Sequence, residues 1–186
     1  MEIFWVLFSI VIAVGIYAIM AYNNLVKNRQ MVEEGWSGID VQLKRRANLI
    51  PNMLETVKGY MGHEKETLQA VTEARAAVQG AANASPAERG KLESMLSGAL
   101  GKLIAVAEAY PDLKADSTFL EFQGALQTTE DEIQLSRRYY NGAVRNLNVM
   151  VESFPSNLVA NQFQFVKAEY FELENEADRA VPDVSF

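Results

Sequence analysis

The chain has no cysteine and only one histidine, His63, among its 186 residues. Without thiols there is no disulfide, no thiolate nucleophile and no thiolate metal site. That absence fits either side of a membrane. The lone imidazole excludes more. A zinc-protease helix needs H-E-x-x-H, and Thr67 stands where the second histidine belongs. A di-iron bundle needs Glu-x-x-His pairs, and Tyr60 stands three residues before His63. A single histidine also lacks the partner that acid–base work requires, so His63 reads first as a helix residue bonded to a neighbour. The glycines Gly80, Gly90, Gly98 and Gly101 are scattered among alanines and form no phosphate loop. No nucleophile motif surrounds any serine or threonine. A net charge of −7, with no basic stripe interleaved with aromatics, argues against nucleic acid. No sustained apolar–polar alternation marks strands. No metal and no other cofactor is expected.

What is present begins with an apolar run over residues 3–22 that holds no charge. At about 1.5 Å per residue it reaches roughly 30 Å, the thickness of a bilayer's hydrocarbon core. A cleaved signal peptide would start with basic residues and end in a small-x-small site. Here the start carries Glu2, and Ala18 and Ala21 have the wrong spacing. Trp5, Tyr17 and Tyr22 suit interfacial anchoring. Lys27 and Arg29 follow the run closely, with Lys44, Arg45 and Arg46 further on and Glu33, Glu34 and Asp40 interleaved. The positive-inside rule then favours an outside N-terminus and a cytoplasmic domain. The expected organisation is a single transmembrane anchor over 1–22 and a helical domain over 23–186.

That domain is helix-patterned nearly throughout. Residues 23–47 form a first stretch with an imperfect apolar face of Leu25, Met31, Trp36, Ile39 and Leu43. No breaker separates it from the span, so the two can be one rod. Pro51 predicts a turn around 48–52, with a kink inside one longer helix as the alternative. A helix over 52–80 buries Leu54, Val57, Met61, Leu68, Val71 and Val78 at steps of three, four and seven. Ser85-Pro86-Ala87-Glu88 is a capping box with proline at the first helical position. Leu92, Met95, Leu96, Leu103, Val106 and Tyr110 continue that helix's core face up to Pro111. Asp116 or Ser117 caps the next helix, whose stripe runs through Phe119, Phe122, Leu126, Ile133, Tyr140, Val144, Leu147 and Val151. Phe163, Phe165, Val166, Tyr170 and Phe171 then dock on the bundle, ahead of a solvated acidic tail with Glu172, Glu174, Glu176 and Asp178. The last residues, Asp183-Val184-Ser185-Phe186, read as a disordered terminus. The fold class is all-α: one transmembrane helix followed by an elongated antiparallel four-helix bundle. Small residues over 74–87 and 97–101 permit close helix approach, or only reflect alanine's helix propensity.

The sequence resembles the LemA family. The resemblance is carried by Tyr22-Asn23 directly after the run, then Trp36 with Ile39-Asp40-Val41-Gln42-Leu43. It continues through Arg45-Arg46-Ala47-Asn48-Leu49-Ile50-Pro51-Asn52, Glu55 to Tyr60, and His63-Glu64. Further matches are Ala70 to Arg75, Tyr110-Pro111-Asp112-Leu113, Arg138-Tyr139-Tyr140-Asn141 and Asn157-Leu158-Val159-Ala160. It implies a single-pass bacterial membrane protein with a four-helix bundle domain, and it brings no catalytic residues. Some members are associated with membrane zinc proteases and others with magnetic-organelle membranes. Certain members carry a lipoprotein cysteine just before the Tyr-Asn pair, which would put their bundle outside the cytoplasm; this chain has none there.

Two functions fit these features. The first is a non-enzymatic scaffold or adaptor at the cell membrane, with the bilayer and further copies of itself as expected partners, and another membrane protein as a further candidate. Its candidate interaction surface is Arg45, Arg46, Asn48, Asn52, His63 and Glu64, the family-matching positions that a core does not obviously need. For Arg45 and Arg46 the competing reading is ion pairs that fix the turn. The second function is a ligand-binding or hydrolytic bundle in which His63, Glu64 and a carboxylate from another helix meet in a pocket.

Overall fold

The computed structural model describes residues 1–172. Of the acidic tail only Glu172 is included; Glu174, Glu176, Asp178 and the last four residues lie outside the described residues. Among the described residues the chain is all-helical, without a strand. The elements are α1 (Glu2–Met61), α2 (Lys65–Gly80), α3 (Pro86–Ala107), α4 (Pro111–Lys114), α5 (Ser117–Glu152) and α6 (Ser156–Gln162). They form two compact units. One comprises Met1–Ile39 with Ser136–Glu169; the other comprises Asp40–Leu135 with the described residues 170–172.

Helix α1 corrects the expected turn at 48–52, because it passes through Pro51 without a break. Proline has no N–H to give to the carbonyl four residues earlier, which is that of Ala47. Arg75 of α2 supplies the missing donor: its Nε–H reaches the Ala47 carbonyl at 3.0 Å. Around the proline, Ile50, Met53, Leu54 and Val57 are all buried. Each is worth roughly 1.5–3 kcal/mol of apolar burial, which outweighs the ~3 kcal/mol cost of an internal proline. Arg75→Met is therefore expected to cost about 1–2 kcal/mol, and markedly less in a Pro51→Ala background where residue 51 donates for itself. A denaturant double-mutant cycle reads this coupling, and additive effects would count against it.

The expected 52–80 helix is interrupted instead at Gly62-His63-Glu64. Its predicted face is buried throughout, but the stripe is empty between Met61 and Leu68, where polar Glu64 and Lys65 fall. No apolar side chain holds the helix there. A Cβ on Gly62 would also lie 3.1 Å from the Lys58 carbonyl, so glycine suits the exit.

In the Asp40–Leu135 unit, one core gathers side chains from five helices. It includes Ile50 and Val57 of α1, Leu68 and Val71 of α2, Leu96 and Leu103 of α3, Leu113 of α4, and Phe119 and Leu126 of α5. The capping box at α3 forms as expected: the Glu88 N–H donates to Ser85 Oγ and the Ser85 N–H to Glu88 Oε2. Asp116 is the α5 cap, accepting the Phe119 N–H at 2.9 Å. Met95, expected in the α3 core face, is exposed. Its place in the stripe is taken by Glu93, one turn before Leu96 and two turns before Leu100. A Cβ on Gly98 or Gly101 would meet nothing within 4 Å, so packing within this chain does not require those glycines.

In the other unit, Leu25 and Ala21 of α1 pack with Leu147 of α5 and with Val159, Ala160 and Phe165. Gly35 lets α1 and α5 touch, since a Cβ there would stand 3.0 Å from the Tyr140 Cα. The chain after α6 is extended and held by side chains. Asn148 makes a two-way pair with the Ala168 backbone, at 2.8 and 3.0 Å. The Tyr140 hydroxyl donates to the Glu169 carbonyl at 2.8 Å. Helix α6 ends in a paired turn in which the Phe165 N–H reaches the Ala160 carbonyl and the Gln164 N–H that of Asn161. That turn puts Gln164 at φ 57°, a conformation glycine adopts without strain. Gln164→Gly should raise stability by roughly 0.5–1 kcal/mol in thermal unfolding; a loss would contradict this reading.

Burial, aided by the charge of Glu169, pushes the Tyr140 phenol up to about 12 from 10.0. In the unfolded chain the phenol ionises first. The stability it contributes is therefore complete below pH 10 and lost as pH rises toward 12, by roughly 1–2 kcal/mol. Tyr140→Phe should flatten that part of the alkaline denaturation curve. An unchanged curve would place the loss on other groups.

Candidate functional site

The R-R-x-x-L-I-P-N segment of α1 divides its residues between inside and outside. One row of buried positions along α1 is Ile39, Leu43, Arg46, Ile50 and Met53. Their steps of four, three, four and three place Arg46 in the apolar row, where it is 0% exposed. It is thus not on the surface; it forms ion pairs as the competing reading expected, but they join helices and fix no turn. Its Nη2 lies 2.5 Å from Glu93 Oε2, and Glu93 is itself 0% exposed. Nη1 pairs with Glu130 of α5 and donates to Ser97 Oγ at 2.7 Å. Glu93 also meets Arg89 Nε at 3.4 Å, and Arg89 reaches Asp40 of α1. Asp40 in turn pairs with Lys44 at 2.6 Å. Three cations, Lys44, Arg46 and Arg89, thus face three carboxylates, Asp40, Glu93 and Glu130.

Such a network fixes which faces of α1, α3 and α5 meet, because any other register leaves a charge unpaired in the core. Sequence reasoning missed Glu93, Glu130, Arg89 and Asp40 as partners. A signal was available: Glu93 and Arg46 are charges at core positions of apolar rows, and a buried charge requires a partner.

Arg45, Asn48 and Asn52 are exposed and lie on one face of α1 at steps of three and four. Exposed Val41 begins the same row. His63 is exposed at the α1–α2 turn. Glu64 is half-buried, and its carboxylate accepts the Tyr110 hydroxyl at 2.9 Å. A similar pair lies close in sequence, where the Tyr60 hydroxyl donates to Asp116 Oδ2 at 2.9 Å. These bonds raise both phenols, and the Phe119 N–H holds Asp116 below its usual value. The two pairs join helix ends; they do not present a free base to a substrate. Among the described residues no group of three or more His, Asp and Glu is arranged to hold a metal ion.

Through residues 3–20 the apolar side chains of α1 are largely exposed, and this part of the helix is long and apolar enough to cross a membrane. The class is therefore an all-helical protein with an apolar N-terminal helix and a charge-locked helical core. The LemA family model matches residues 35–186, and the chain belongs to the LemA family. It is 29% identical to Protein LemA of Metamycoplasma hominis, covering 99% of this chain and 84% of that protein. It is 27% identical to Magnetosome protein MamQ 2 of Paramagnetospirillum magneticum, covering 88% of this chain and 69% of the relative. Magnetosome protein MamQ of Magnetospirillum gryphiswaldense is 23% identical over 82% of this chain and 65% of its own length.

Proposed function

We propose that this protein is a non-enzymatic, single-pass scaffold or adaptor that self-assembles at the bacterial cell membrane. Residues 1–22 anchor it, and the rest is an elongated antiparallel four-helix bundle on the cytoplasmic side. Its role is membrane organisation or remodelling, or support of membrane-protein quality control. The observation that carries this is α1: one helix holds both the exposed apolar run and the buried Arg46 row, so anchor and domain are not joined by a loop. The magnetosome relatives lend further support. The exposed row of Arg45, Asn48 and Asn52 is the contact face for a second copy or another membrane protein, with His63 and Glu64 at its end.

Cross-linking in intact bacterial membranes tests this. The native chain has no cysteine, so Asn48→Cys provides a single reactive site. Formation of a covalent dimer, and its loss with Arg45→Glu, is the expected result. Only single chains, with no adduct to any membrane protein, would overturn the proposal.

A further inference from the structure

We infer that the corner between α5 and α6 enters the bilayer beside α1 as a second membrane contact, and that the groove between them takes a lipid acyl chain. This rests on the reading of α1 as a membrane span. The groove, of about 540 Å³, is bounded by Ile10, Val14 and Ala18 of α1 and by Pro155, Leu158 and Val159. Its α1 wall lies inside the apolar run. Ala18 lies eight helical steps after Ile10, so the groove reaches roughly 12 Å along the segment that crosses hydrocarbon. At the other end of α6, the Phe163 ring stacks edge-on against Tyr22, 4.8 Å away, where the run finishes. Helix α6 therefore runs beside the span and not beyond it.

The outward side chains match hydrocarbon. Phe154 is 79% and Leu158 61% exposed, and Phe163 and Val166 are exposed as well. Single exposed apolar residues need no explanation, but Phe154 and Leu158 flank a groove whose other wall is the span, and Phe163 packs on Tyr22 at its end. The backbone also suits an environment without water, where an unpaired N–H or carbonyl costs several kcal/mol. Ser156 Oγ lies 2.7 Å from the Met150 carbonyl and 2.9 Å from that of Ser153, satisfying the end of α5. The Asn157 N–H reaches the Ser153 carbonyl and the Leu158 N–H that of Pro155. Glu152, two residues before Phe154, is paired with Lys167 at 2.7 Å, and the long lysine stem lets that charge reach toward the headgroups.

Single cysteines at Val11→Cys, Leu158→Cys and Met95→Cys, each carrying an environment-sensitive fluorophore, test the inference. The full chain is reconstituted in phosphatidylcholine vesicles with and without tail-brominated lipid, after circular dichroism has confirmed helicity. The expected result is quenching at 158 comparable to that at 11 and absent at 95, with Phe154→Cys repeating the pattern at 158. If 11 is quenched while 154 and 158 behave like 95, the corner stays outside the lipid and this inference fails while the span stands. Protection of 158 from lipid with fluorophore self-quenching would put a second copy in the groove, and also overturns it. No quenching at 11 removes the membrane span itself, and the inference with it.

Discussion

Replacing Glu93 with leucine is expected to destabilise the protein by about 3–5 kcal/mol, the usual cost of removing one partner from a buried ion pair. Arg46 and Arg89 would keep only Glu130 and Asp40, both at the edge of the core. Arg46→Met should cost a similar amount for the opposite reason, since it strands Glu93 against Arg89 alone. The double variant Arg46→Met with Glu93→Leu should cost much less than the two singles added, because the core then holds apolar groups in place of a lone charge. Glu130→Gln, by contrast, alters a carboxylate whose side chain is 32% exposed, so its effect should stay below about 1 kcal/mol. Urea titrations followed by circular dichroism measure all four. If Glu93→Leu falls within the roughly 0.5 kcal/mol typical of surface substitutions, the network does not lock the core.

The second large effect concerns the segment after residue 169. Phe171 is fully buried, and Phe171→Ala should cost about 3–5 kcal/mol. Gly90 of α3 is what lets this segment lie down. A Cβ at position 90 would collide with the Glu172 carbonyl, a backbone atom with no soft end to yield. Gly90→Val should therefore lift residues 170–172 off α3 and forfeit the phenylalanine's burial, roughly 2–3 kcal/mol. Hydrogen exchange and limited proteolysis should show release of the chain around 170 while α2 and α3 stay protected. Full protection near 170 in Gly90→Val would mean that the glycine is not required for the docking.

Much of the fold was legible because it rests on local chemistry. The Ser85–Glu88 box, the Asp116 cap and the α5 stripe from Phe119 to Leu147 are set by residues within a turn or two of each other, and each appears where the spacing puts it. The errors share a different cause. Pro51 signals a break by its own geometry, but the donor that excuses it, Arg75, lies 24 residues later on another helix. Met95 outranks Glu93 as a core residue by hydropathy, until Arg46 supplies a counter-charge from α1. In both cases a long-range polar partner overrides a local preference. The expectation of exposure held at Arg45, Asn48 and Asn52, where an exposed row follows from α1's period. It failed at Arg46, which shares the family-matching segment but faces the core. Gln164 escaped notice because only its backbone marks it, through a helix end usually occupied by glycine.

The central claim is a membrane-anchored chain that assembles with itself. Its most direct test is the mass of the full-length protein in mild detergent, by size exclusion with light scattering. The account predicts a uniform particle of several 20.7 kDa chains after correction for bound detergent, reduced in size by Arg45→Glu. A particle of one chain at all concentrations, indifferent to that substitution, would contradict it.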